Sequence, residues 1–336
     1  MDAADAACAA FLAALSALSL ASNLSVLLCF ARSADIRRQV AGVFIVNLSV
    51  CNVVTAALHV PATAAGVARR RQPFGERPCR AVGFLELFLT ANAALSAAAL
   101  SVDRWVAVVF PLSYSSRMRR RDAAAMLCYT WLHSFTFSLA ALLFSWLRYS
   151  DAYASCTLQA SRDSGYAAFT MLFHASSFAL PLLTLCVAYL KVLRVARFHC
   201  KKIDVVTVQT LVLLVDVHPS VKRRCLAEQK RRKQRAVKKI SVFIGSFIVC
   251  FGPLVFTRLA ELLPFVDVDR RWGLVSKCLT YSKAACDPFA YCLTRKQYKK
   301  VLTDTAERLL RRKAYPSSGR NSSVRLENDY CLRRIG

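Results

Sequence analysis

The chain is predicted to be an all-α integral membrane protein, a bundle of seven transmembrane helices followed by a short amphipathic eighth helix. Three observations predict this. Of 336 residues, 56% are hydrophobic and only 20% charged, and the mean hydropathy of +0.36 is too apolar for a soluble domain. Apolar runs of about 20 residues, the length that crosses a bilayer core, recur along the chain. Short gaps marked by Lys and Arg separate them.

The runs cover 8–31, 41–66, 76–109, 123–147, 166–196, 237–263 and 273–292. Residues 1–7 precede the bundle of 8–292, the eighth helix occupies 295–312, and the polar, Ser- and Arg-rich segment 313–336 reads as a disordered cytoplasmic tail. An odd number of spans puts the two ends on opposite sides. The net charge of +27 suits a nucleic-acid binder only if it is spread over one polar surface. It is instead gathered in "RSADIRR", "RMRRR", "KRRKQR" and the stretch from Arg295 onward, which share one face if the N-terminus is extracellular. Membrane lipid, not nucleic acid, is the expected surrounding, and the plasma membrane the expected location. "ARRRQPFGERPCR" (Ala68 to Arg80) is basic on the opposite face, but the cytoplasmic excess is larger.

"MDAADAACAAF" has no basic n-region, so the first span is expected to act as its own signal anchor. "VVTVQTLVLLVDV" (Val205 to Val217) is too short to span and is broken by Gln209 and Asp216, so it belongs to a long third inner loop at 197–236. Most of the 14 cysteines fall inside spans. Cys79 and Cys156 both fall on the oxidising side and are expected to form a disulfide.

The third span ends in "SVDRWVAVVFPLSY", an acid–base pair of Asp103 and Arg104 followed by Trp105, Pro111 and Tyr114. Asn23 marks the first span, "NLSVCN" (Asn47 to Asn52) the second and Trp131 the fourth; Pro181 and Tyr189 mark the fifth. "FIVCFGP" (Phe247 to Pro253) marks the sixth span and "DPFAY" (Asp287 to Tyr291) the seventh, with Tyr298 beyond it and Cys79 standing 25 residues before Arg104. One marker per helix, in order, resembles the rhodopsin-like (class A) G-protein-coupled receptors. The resemblance implies a receptor whose Arg104, Tyr189 and Tyr291 line the cavity that admits the C-terminal tail of a heterotrimeric G protein's α-subunit, with arrestin and receptor kinases as further partners. It points to the stimulatory class and cAMP. An arginine fork can exchange one partner for another, which suits Arg104 to that task. The plain alternative is an exposed ion pair at a helix end, worth only ~0–1 kcal/mol.

The chain departs from the family pattern at several positions. The usual span-two aspartate and span-seven asparagine are exchanged here, as Asn52 and Asp287, so an amide and a carboxylate still face each other. Lys283 lies one helical turn before Asp287, on the same face. A lone charge in the bilayer costs at least ~2.5–3.5 kcal/mol, so the two are expected to pair. Where relatives bind sodium with a span-three hydroxyl, this chain has Ala93, and the Lys283 ammonium is expected to stand in the ion's place. The alternative is Lys283 snorkelling to water above a protonated Asp287. Phe251 replaces the switch tryptophan of the sixth span, whose marker runs from Phe247 to Pro253. Lys233 stands where many relatives carry an acid that clasps the arginine. Both changes weaken the resting state and predict ligand-independent activity.

Glu86, Thr90, His174, Ser177, Arg258, Lys277 and Tyr281 outline a pocket for an unknown small ligand, a few polar groups in an apolar cleft. Glu86 either receives a cationic ligand or pairs internally with Lys277. A retinal-binding opsin would carry its lysine at Tyr281, whereas Lys283 is turned roughly 200° away. A transporter would show repeats or broken half-helices. No catalytic motif, metal-spaced cluster or cofactor fingerprint appears, so an enzyme is not expected.

Overall fold

A computed structural model describes residues 3–72, 75–161, 163–195, 242–293 and 296–314. The third inner loop at 197–236, with Lys233 and the Val205 to Val217 stretch, lies outside the described residues, as does the tail from 315. The helices are α1 (Ala3–Arg32), α2 (Ala41–Arg69), α3 (Glu76–Val109), α4 (Arg120–Leu143), α5 (Ser164–Val195), α6 (Val242–Ala260), α7 (Arg270–Pro288) and α8 (Lys296–Ala314). The first six are long and apolar enough to cross a membrane. The seventh span is not apolar enough by itself, since α7 contains Arg270, Arg271, Lys277, Lys283 and Asp287. Lys277, Lys283 and Asp287 are buried, so that helix can stand in a bilayer only with its neighbours around it.

Local chemistry fixes where the helices start and bend. Asp163 caps α5 by accepting from the Gly165 N–H, and Asp269 caps α7 by accepting from Arg271 and Trp272. Wide π turns occupy Thr55–His59 in α2 and Ala175–Ala179 in α5, each ending two residues before a proline, Pro61 or Pro181. Proline has no N–H and its ring crowds the carbonyl four residues back, so a locally wider turn absorbs both faults. A third π turn, Phe289–Leu293, follows Pro288.

The interior divides along the bundle axis. At the Arg104 end, Phe44, Leu100, Leu185, Phe243 and Phe247 form the largest buried apolar cluster, closed below by Tyr298 of α8. At the opposite end, Leu12, Leu15, Val60, Leu274 and Tyr281 join α1, α2 and α7. α3 contributes Ala94, Ala97 and Ala99 to the first cluster, small enough for close helix approach. Asn47 gathers α2, α3 and α4, donating to Asn92 at 2.6 Å and Ser96 at 2.8 Å while accepting from the Trp131 indole at 2.9 Å.

The apolar run of the fourth span continues to 147, but α4 stops at Leu143, and Ser145 takes φ 60° to turn the chain into an antiparallel hairpin. Strands β1 (Leu147–Ser150) and β2 (Ser155–Leu158) pair Tyr149 with Cys156, adding a small β element to an otherwise helical fold. The disulfide between Cys79 and Cys156 ties β2 to the start of α3. The hairpin tip wedges between α2 and α7: a Cβ on Gly66 would collide with the Ala154 carbonyl oxygen, and one on Gly273 with that of Ala152. Gly66→Ala should therefore destabilise the receptor by about 1–3 kcal/mol through overpacking. Gly245→Ala, with nothing within 4 Å of the new methyl, should stabilise its helix by about 0.5–1 kcal/mol. Thermal unfolding of the purified variants checks both, and equal Tm values would count against this seating of the hairpin.

Candidate functional site

Charged and polar side chains stack in three layers inside the bundle. The first lies beneath the hairpin. Glu86 receives the Lys277 ammonium at 2.6 Å and the Tyr281 hydroxyl at 2.8 Å. Tyr281 gives its proton to Glu86, so Thr63 of α2, 2.9 Å away, is the donor to the phenol oxygen. Of the two partners left open for Glu86, the structure has the internal one. A cavity lies beside this group and is lined by Glu86, Thr90, His174, Ser177, Phe251, Arg258 and Lys277. Tyr281 lies on the far side of Glu86, in a smaller space of about 260 Å³ with His59, Thr63 and Tyr149.

The polar groups of the larger cavity are mostly engaged within the protein. His174 donates through Nδ1 to the Thr170 carbonyl at 2.8 Å, and Ser177 donates to the Phe173 carbonyl. Arg258 is 4% exposed. It forks onto Glu261 at 3.0 Å and Thr157 of β2 at 2.9 Å, with its guanidinium 3.9 Å from the Tyr153 ring centroid. The Tyr153 hydroxyl donates to Glu261 at 2.9 Å, and burial pushes that phenol's pKa up. Tyr153, Thr157, Glu261, His59 and Thr63 were not among the residues singled out from the sequence. Only Glu261 had a local signal, three residues after Arg258 on one helix face.

The second layer sits at mid-bundle. Lys283 pairs directly with Asp287, and both are 3% exposed, so the ammonium does not snorkel to water. Asn52 donates to the other Asp287 oxygen at 3.4 Å and to Asn23 at 3.2 Å. Asn23 in turn donates to the Ser19 and Ala284 carbonyls, tying α1 to α7. Ala93 offers no oxygen here and packs against the apolar cluster.

The third layer closes the opposite end. Asp103 is fully buried and holds Arg104 at 2.8 Å and the Tyr114 hydroxyl at 2.6 Å. Burial first, then the bond to Asp103, raises the Tyr114 pKa. Lys191 stacks on Trp105 with its ammonium 4.6 Å from a ring centroid, linking α5 to α3. Tyr189 and Tyr291 both pack on Phe243 of α6, at 5.1 and 4.5 Å between centroids. The Tyr291 hydroxyl is buried with no hydrogen-bond partner among the described residues. Phe247 stacks on Phe178 and meets Phe251 edge to face, and Thr257 donates to the Pro253 carbonyl at 2.7 Å.

Seven helices around a polar axis, a disulfide from α3 to the following hairpin and an acid–arginine pair at the far end define the class. The family model for the seven-transmembrane receptors of the rhodopsin family matches residues 22–291, and the chain belongs to that family. It is 56% identical to human G-protein coupled receptor 26 over 331 residues, 98% of both chains. It is 51% identical to human G-protein coupled receptor 78 over 308 residues, 91% of this chain and 85% of that one. The segments "KCLTYSKAACDPF" and "ENDYCLRRIG" read as nearer to receptor 78, but whole-chain identity runs the other way. The rat 5-hydroxytryptamine receptor 5A is 26% identical over 294 residues, 82% of this chain and 81% of that one. The protein is a multi-pass membrane receptor of the G-protein-coupled class, not an enzyme.

Removing one member of a buried ion pair strands the other. Lys283→Met or Asp287→Leu alone should cost about 3–5 kcal/mol, while the two combined should cost much less. Thermal unfolding in detergent measures this double-mutant cycle, and additive losses would show that the pair is not coupled.

Proposed function

We propose that the receptor engages the C-terminal tail of a heterotrimeric G protein's α-subunit at its Arg104 end and is partly active without agonist, raising cAMP through the stimulatory class. The disulfide end is then extracellular and the Arg104 end cytoplasmic, where arrestin and receptor kinases also bind. The observation that carries this reading is the internal satisfaction of the ligand site. Glu86 is taken by Lys277 and Tyr281, and Arg258 by Glu261 and Thr157. The 5-hydroxytryptamine receptors among the relatives are named for an amine; here an amine must first displace Lys277 from the acid. An anion meets the same obstacle at both cations. The cavity therefore favours a small neutral or apolar ligand if one binds.

At the cytoplasmic end, Asp103 is the carboxylate that holds Arg104, and it is shared with Tyr114. Phe251, in the switch position, presents a lighter ring than tryptophan. A resting state held by these contacts among the described residues can lie within a few kcal/mol of the active one. Expressed without ligand, the receptor should raise cAMP above mock-transfected cells at confirmed surface expression, and Arg104→Ala should return it to baseline. Signalling at baseline in the parent rejects the proposal.

Lys283 is the tethered counterpart of the sodium ion bound by relatives, so sodium should not inhibit this receptor. Titrating sodium against potassium at constant ionic strength should leave basal G-protein coupling unchanged. A clear sodium dependence that persists in Lys283→Ala overturns the assignment.

A further inference from the structure

Cys8 and Cys278 occupy facing stripes of α1 and α7. Cys8 lies one turn before Leu12, and Cys278 one turn after Leu274. Both cysteines pack against the cluster that Leu12, Leu15, Leu274 and Tyr281 form, so these helix faces are turned towards each other. The two thiols are close enough to interact side chain to side chain. Neither is in a disulfide, both are partly exposed, and both line a groove between α1 and α7 holding about 1500 Å³ of open space. Arg70, Arg270 and Arg271 border the same groove. The groove lies at the end of the bundle where Cys79 and Cys156 are already joined: Arg70 binds Asp5 of α1, and Gly66, one turn before it, touches the hairpin.

We propose that Cys8 and Cys278 form a second, oxidisable thiol pair whose disulfide straps α1 to α7. A low-molecular-weight disulfide such as oxidised glutathione is the oxidant. The Cys8 thiolate attacks one of its sulfurs, and a glutathione thiolate leaves. The Cys278 thiolate then attacks the Cys8 sulfur of this mixed disulfide and releases the second glutathione. Two thiols lose two protons, and two electrons reduce one glutathione disulfide to two thiols. The strap is adjacent in sequence to Lys277 and one turn from Tyr281, the two groups on Glu86, so it restrains the part of α7 that faces the hairpin.

Full-length receptor in membranes, equilibrated at graded ratios of reduced to oxidised glutathione and then alkylated, can be digested without reduction and mapped by mass spectrometry. A Cys8–Cys278 linked peptide, two hydrogen atoms lighter than the sum of its parts, should rise with oxidation and vanish on reduction before Cys79–Cys156 does. It should be lost in Cys8→Ser, where Cys278 becomes alkylated, and kept in Cys128→Ser, which removes an exposed cysteine. Recovery of both cysteines alkylated at every ratio in the parent overturns the proposal, as does linkage of Cys278 to any other cysteine.

Discussion

A charge that leaves water for an apolar interior must bring its counter-charge with it, and this bundle is arranged around that requirement. Desolvating an ion costs several kcal/mol even after relaxation, and only a close, well-bonded partner offsets it. Glu86 with Lys277, and Asp287 with Lys283, meet the condition by placing one acid and one ammonium in direct contact and adding a second donor to each acid, Tyr281 or Asn52. Three of these four charges sit on α7. That helix is held in the bundle by α1 and α2, which pack along it, by α3 through Glu86 and by α6 through the bond from Thr280 to the Cys250 carbonyl.

The hairpin works by the same rule at the end of the cavity. Arg258 is the most deeply buried cation of α6, and its partners come from its own helix and from the hairpin: Glu261 beside it, Thr157 and the Tyr153 ring across from it. Without the hairpin, two hydrogen bonds and one stacked face would be lost together. Among the described residues, the backbone of the tip gains no such polar contacts from α2 and α7. It is seated by shape, against Gly66 and Gly273, where any side chain would push it out. Charge thus fixes the hairpin to α6, and the absence of a Cβ fixes it to α2 and α7.

Much of this was legible in the sequence, for reasons that differ from place to place. The spans were visible because a bilayer imposes a length and a composition that few other environments do. Lys283 and Asp287 were visible as a pair because one helix holds both, four residues apart, where helical geometry dictates the contact. Glu86 was left between two partners because the choice depends on how deeply α7 sits against α3, a tertiary quantity. The end of α4 was misplaced for a local reason: Phe144 and Trp146 are as apolar as the helix before them, and the turn at Ser145 has no glycine or proline to announce it. Tyr153, Thr157 and Thr63 were missed because each meets its partner across more than a hundred residues of chain.

The ionic layers differ in how firmly they hold, and this difference decides where the bundle can yield. Glu86, Lys277, Lys283 and Asp287 are nearly inaccessible to water, so separating either pair leaves an uncompensated charge in a dry place. Arg104 is different. Its side chain is 31% exposed while Asp103 is fully buried, so the arginine can leave towards solvent while Tyr114 continues to satisfy the acid. An exposed guanidinium regains water as it moves, which keeps the cost near that of a surface pair. The apolar contacts of α6 at that end, Phe243 against Tyr189 and Tyr291, are ring packings that can slide without stranding a charge. A bundle pinned by buried ion pairs at its hairpin end and midpoint, and by exchangeable contacts at the other end, is expected to open at the Arg104 end first, the end where we propose that the G protein binds.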